Sequence, residues 1–167
     1  MHTDPSAASA RPVERWFAAY AEDHRHPRNQ QLHVLCVPAI VWSILAVLHA
    51  LPTPAGLVAT LPDHGVVAAS AALLALAFWW WLSPRLGAGM LLCVVAGFGL
   101  NEAILWALGA EVLGVAGVVV FVAAWIGQFV GHRIEGRRPS FFTDLVYLMI
   151  GPPWVLAKGY RALGLGW

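Results

Sequence analysis

The sequence predicts an all-α polytopic membrane protein, a four-helix transmembrane bundle with amphipathic N- and C-terminal helices. Three observations predict it. Of the 167 residues, 59% are apolar and only 11% are charged, whereas soluble domains carry roughly a quarter charged residues. The apolar residues gather in four blocks nearly free of charge, at residues 34–51, 65–82, 86–108 and 112–131, and each reaches the roughly 17–25 residues that a spanning helix needs. When these blocks alternate across a bilayer, all ten Lys and Arg fall on one side. The chain therefore reads as one membrane domain over residues 1–167.

Residues 11–26 precede the first block and place Val13, Trp16, Phe17 and Tyr20 at helical spacing, which predicts an amphipathic helix lying on the membrane surface. The first block begins too late for a cleaved signal peptide, and no small-residue cleavage pattern follows it. Arg11, Arg15, Arg25 and Arg28 come before it, Arg85 separates the second and third blocks, and Arg133, Arg137, Arg138, Lys158 and Arg161 follow the fourth. Positive charge collects on the cytoplasmic side, so both termini are expected there. The apolar stretch at residues 140–163 is interrupted by Gly151, Pro152 and Pro153, which predicts two short interfacial or re-entrant helices. A fifth span there would carry Lys158 and Arg161 to the wrong side.

Small residues recur at Gly97 and Gly99, Gly114 and Gly117, and Gly127 and Gly131, the spacing of close helix approach. The last pair suits internal packing or a dimer equally well, so the oligomeric state stays open. A net charge of +1 leaves no basic surface for nucleic acid. Cys36 and Cys93 both lie within apolar blocks and make no disulfide framework.

The histidines carry the chemistry. His24, His26 and His33 sit at the cytoplasmic start of the first span and His132 at the cytoplasmic end of the fourth, so the topology brings distant segments to one membrane level. On an unbroken helix His24 and His33 would face opposite ways, but Pro27 permits a bend that turns both imidazoles to a common point. Asn29 shares the face of His33, and Glu135 shares that of His132. Two or three imidazoles with a carboxylate suit iron(II), zinc or manganese. Interfacial histidines bound to headgroups or to one another are the alternative.

Two strings carry a resemblance. Residues 20–38, YAEDHRHPRNQQLHVLCVP, resemble the Y-x-x-x-H…N-x-x-x-H-x-x-G-x-P signature of the 2-hydroxy fatty acid dioxygenase family. Residues 128–145, QFVGHRIEGRRPSFFTDL, resemble its second signature, Q-F-x-G-H-x-x-E-x-x-x-P-A. The similarity implies a membrane-embedded, iron(II)-dependent dioxygenase that uses O2 to shorten a 2-hydroxy fatty acid by one carbon in α-oxidation. It also implies His24, His33 and His132 as metal ligands and Glu135 as a ligand or an acceptor that orients an imidazole. Tyr20, Asn29 and Gln128 then surround the ligands or meet the substrate, and His26 is a reserve ligand. Adjacent hydroxyl and carboxylate oxygens chelate such a metal, and Arg133, Arg137 and Arg138 are placed to attract the carboxylate or lipid headgroups. Cys36 stands where the family often has glycine, and Lys158 where some members have glutamate. The second departure leaves the substrate-carboxylate contact, and with it the preferred substrate, open.

Other residues fall outside this group. Glu102, beside Asn101, lies toward the far end of the third span and is expected to make an interhelical hydrogen bond. His49 and His64 belong to the same far side, and His2 to the N-terminal tail. Trp79, Trp80, Trp81 and Trp106 read as interfacial anchors. A di-iron desaturase needs clustered H-x-x-x-H groups that this chain lacks, and a bis-histidine haem would require a Soret band. The remaining competitor is a non-catalytic lipid-binding scaffold. The Ala, Val and Leu-rich composition points to a bacterial inner membrane.

Overall fold

The computed structural model describes residues 11–56, 60–136 and 141–167. Among them are five helices and no strand: α1 (Pro12–Glu22), α2 (Pro27–Ala50), α3 (Val66–Leu82), α4 (Pro84–Glu135) and α5 (Phe141–Ala162). The 24-residue α2 and the 52-residue α4 are long and apolar enough to cross a membrane, and the 17-residue α3 is apolar but shorter. Only 17% of the most apolar window of α4 is buried inside the protein. Leu92 and Trp106 on α4 and Leu74 on α3 are 72%, 91% and 76% exposed, so these helices turn large apolar side chains outward.

Helix α4 is two arms. Gly109 has φ 85° and ψ 167°, a conformation closed to residues with a Cβ, and the helix breaks there. Along the first arm, Gly97 meets Leu45, while Phe98 and Glu102 meet His49, so the numbering rises in step with α2. Along the second, Gly117 meets Val47, Gly127 meets Cys36 and Gly131 meets Asn29, so it falls. The arms run in opposite directions along α2, and the chain reverses at Gly109, where residues 109–111 were expected as a loop.

The glycine pair serves this internal contact. A Cβ on Gly127 would lie 2.6 Å from Cys36 Sγ, and one on Gly117 would lie 2.8 Å from Val47 Cγ2 and 3.0 Å from Ser43 O. Close backbone approach of α2 and the second arm therefore needs these glycines. Cys36 fills the space that Gly127 leaves.

Two expectations are corrected. The amphipathic α1 ends at Glu22 rather than near residue 26, and its apolar face turns into the protein. Val13, Phe17 and Tyr20 are buried against Leu82, Leu86, Ile150, Trp154 and Ala157, since α5 offers apolar surface that α1 covers. The C-terminal stretch is one helix, not two. Pro152 and Pro153 lie inside α5, and the carbonyl that Pro153 cannot serve, Met149 O, accepts the Trp79 indole N–H at 2.8 Å. That contact serves one of the two carbonyls the prolines free, the other being Leu148 O, in a helix that runs on through both. Trp79 is accordingly buried at 4% exposure, while Trp80 and Trp81 face outward. Trp79→Phe strands Met149 O and is expected to cost about 1–3 kcal/mol, read as a lowered melting midpoint of the detergent-purified protein beside an unchanged Trp81→Phe control.

At the end of α2 opposite His33, His49 Nε2 and Glu102 Oε1 lie 2.9 Å apart, which is the interhelical contact expected of Glu102. His64 Nδ1 lies 3.1 Å from Ala50 O.

Candidate metal centre

The site forms where α1 ends and α2 begins. Residues 23–26 break the helix, and α2 starts with Pro27 at its first position, where a missing N–H costs nothing. His26 caps it, its Nδ1 accepting the Arg28 amide at 3.2 Å. This break turns His24 back toward His33, so that their Nε2 atoms stand 2.9 Å apart. His132 arrives from the last turn of α4, its ring 5.3 Å from that of His24 and 5.1 Å from that of His33. One ligand atom from each of the three lies within 4.8 Å of the others. His24 and His33 are 1% and 2% exposed.

The hydrogen bonds decide the tautomers. His24 Nδ1 lies 2.6 Å from Tyr20 O, and His33 Nδ1 lies 2.9 Å from Asn29 O. A carbonyl only accepts, so both Nδ1 atoms carry the proton and donate it. Each neutral ring then presents a lone pair at Nε2, and two lone pairs face each other across 2.9 Å. A cation between them removes the repulsion. Burial holds His24 below the ordinary histidine range, which disfavours a proton there, and the three histidines could hold a metal ion. The separation suits this too, since two nitrogens at about 2.1 Å from one ion and at right angles stand about 3 Å apart. A carbonyl that accepts the other ring N–H is a usual partner of a metal-binding imidazole.

Glu135 stands beside the triad rather than in it. Its Oε1 accepts Arg25 N at 2.9 Å and its Oε2 accepts His26 N and Asn29 Nδ2, each at 2.9 Å. One carboxylate from the end of α4 thus ties down the break before α2 and the residue whose carbonyl orients His33. Asn29 is fully buried, its Oδ1 over Gly131. Glu135→Ala frees two backbone amides and Asn29 Nδ2. Metal affinity is expected to fall about 10- to 100-fold, with near-native helix content by circular dichroism, as titration of the metal-free protein would measure.

Tyr20 stacks on His24 at 4.1 Å and 9°, and Gln128 is buried at 6% exposure. Both line a cavity of about 40 Å³ with the three histidines, Val37, Ile40, Trp125, Tyr147, Leu148 and Pro152. That volume holds about three water-sized groups. Arg133 is exposed beside His132, and His26 is exposed at its cap. Arg137, Arg138 and His2 lie outside the described residues.

Sequence reasoning gave no part in the site to Gln30, Trp154 or Trp125, and named Lys158 only for its departure from the family pattern. Gln30 donates from Nε2 to His24 O at 2.6 Å, and Lys158 donates to Gln30 Oε1 at 2.6 Å, so α5 also braces the break. Trp154 packs on Tyr20 and His24 at 5.0 and 5.9 Å. The indole N–H of Trp125 is buried without a partner among the described residues. Only Lys158 left a signal, as a departure from the family pattern.

No curated protein and no solved structure matches the chain significantly. A family model does match, over residues 10–162, under the description 2-hydroxy-palmitic acid dioxygenase Mpo1-like. That stretch contains α1 to α5, all three histidines and Glu135, and the chain belongs to this family.

Proposed function

We propose that this protein is an iron(II)-dependent dioxygenase that cleaves 2-hydroxy fatty acids with O2 to the fatty acid one carbon shorter. The observation that carries the reading is the pair of facing lone pairs on His24 and His33 with His132 beside them, in a chain of this family. Three imidazoles leave coordination positions open, the usual demand of non-haem iron. Iron(II) held by His24, His33 and His132 would supply the place where O2 is activated and where the adjacent oxygens of a 2-hydroxy acid chelate.

The protein's own groups do the rest. Val37, Ile40, Leu148 and Pro152 wall the cavity with hydrocarbon, which excludes water and strengthens every polar contact inside. Tyr20 fixes the plane of His24 by stacking, and Tyr20 O and Asn29 O hold both Nδ1 protons in place. Glu135 acts as the positioning carboxylate. Gln128 offers its amide to a bound substrate oxygen. Written with C1 leaving as CO2, the reaction R–CHOH–COOH + O2 → R–COOH + CO2 + H2O balances, and the acid itself supplies all four electrons.

We further propose that α2, α3 and the two arms of α4 are the four spans, with α1, α5 and the metal centre at the cytoplasmic face. The distribution of Lys and Arg supports this, as does the reversal at Gly109. A substrate tail can then enter from the bilayer.

The test is O2 uptake by detergent-purified protein, reconstituted anaerobically with iron(II), on 2-hydroxypalmitate and on palmitate, with the acyl product identified by mass spectrometry. Uptake with the hydroxy acid alone and a C15 product is expected. Equal uptake with palmitate, or none from iron-loaded protein, would overturn the assignment.

A further inference from the structure

A second cavity lies on the other flank of α2, between α2, the first arm of α4 and α5. Its volume is about 800 Å³, within the range of sites that enclose a whole organic ligand. Its walls include Val34, Val41, Leu45, Met90, Gly97 and, alone among the lining residues in carrying a charge, Lys158. From Val34 to Leu45 the wall follows about 17 Å of helix axis, which suits an extended hydrocarbon chain.

We propose that this groove is a second ligand site, which holds a long-chain fatty acid by its tail with the carboxylate on Lys158. One cation at the end of a long apolar trough is the complement of an amphiphile with one anionic head. The ammonium of Lys158 has a neutral partner, Gln30 Oε1, and the face of Trp154, 4.2 Å from the ring centroid. No carboxylate among the described residues pairs with it. Burial pulls Lys158 below the usual lysine range, and Arg161 adds to this, so an arriving carboxylate meets a poorly solvated cation and forms a strong charge-assisted hydrogen bond.

The site borders the metal centre without being part of it. Lys158 and His24 both pack on Trp154, and Pro152 lines both cavities. Lys158 lines the groove and not the cavity of the three histidines, so the groove stores the acid before or after reaction. Its naming as a fatty acid rests on the proposed activity; the groove and its cation do not.

The test uses the full chain in phosphatidylcholine nanodiscs, with dibrominated palmitate as a quencher of tryptophan fluorescence. Saturable quenching is expected, weakened at least about tenfold in Lys158→Met and retained in Lys158→Arg. Gly97→Leu, which narrows the trough and leaves the cation, should weaken it as well. The methyl ester of the probe should not saturate. Binding should persist in metal-free His33→Ala/His132→Ala protein, which separates this site from the metal reading. Loss in that double variant, equal affinity in Lys158→Met, an equal defect in Lys158→Arg, or displacement by phosphatidylglycerol at equal mole fraction would each overturn the proposal. The last would mark an ordinary lipid site.

Discussion

His33→Ala protein is expected to purify with no stoichiometric iron and with its dioxygenase activity reduced by at least about 10²-fold, beyond the 10- to 100-fold typical of losing a group outside the ligands. His33 is the centre of the arrangement. Its Nε2 faces that of His24 at 2.9 Å, its ring lies 5.1 Å from that of His132, and its Nδ1 is fixed by Asn29 O. Removing it deletes one donor and leaves the Nε2 of His24 facing a void. The check is metal content by mass spectrometry together with activity, beside His49→Ala as a control for loss of a buried helical histidine at the other end of α2. Iron retained at one per chain in His33→Ala would remove the triad from the mechanism.

Gly131→Val is expected to be as damaging without touching a ligand. A Cβ at this position collides with Asn29 Oδ1 and comes to 3.5 Å from Leu32 Cδ1. Both are on the first turns of α2, and Asn29 is fully buried with no room to swing aside. The end of α4 must move away, and His132, the next residue, moves with it. Glu135 shifts from Arg25, His26 and Asn29 at the same time. Overpacking of this kind costs about 1–3 kcal/mol, but the larger effect is on the centre, where loss of metal affinity by at least about 10²-fold is expected because ligand and positioning carboxylate are displaced together. Gly114→Ala is the control, since its Cβ would stand 3.4 Å from Ala50 Cβ in ordinary contact. Thermal unfolding and metal titration of the two variants separate the effects. Equal metal affinity in both would show that the α2–α4 approach does not set the site.

Much of the site is legible along the chain because ligands must be particular residue types. His24, His33 and His132 stand out in an apolar sequence, and Pro27 announces the bend that lets the first two meet. What spacing does not show is which polar neighbour does what. Glu135 and Asn29 look alike as companions of the triad until the hydrogen bonds show one carboxylate holding two backbone amides and Asn29 Nδ2. Gln30 and Lys158 brace the turn from 128 residues apart, a relation no local pattern carries.

The same division holds for the fold. By itself the sequence determined the apolar helical blocks, the reversal near Gly109 and the residue types that could hold a metal ion, because hydropathy, backbone freedom and ligand type are properties of residues taken singly or at short spacing. Only the tertiary structure decided that α1 packs its apolar face on α5, that Trp79 serves the carbonyl Pro153 cannot, and that Gly127 and Gly131 lie against α2. Each of these depends on which partner surface comes within reach of an unsatisfied face or atom, and that is settled only when all the helices have packed.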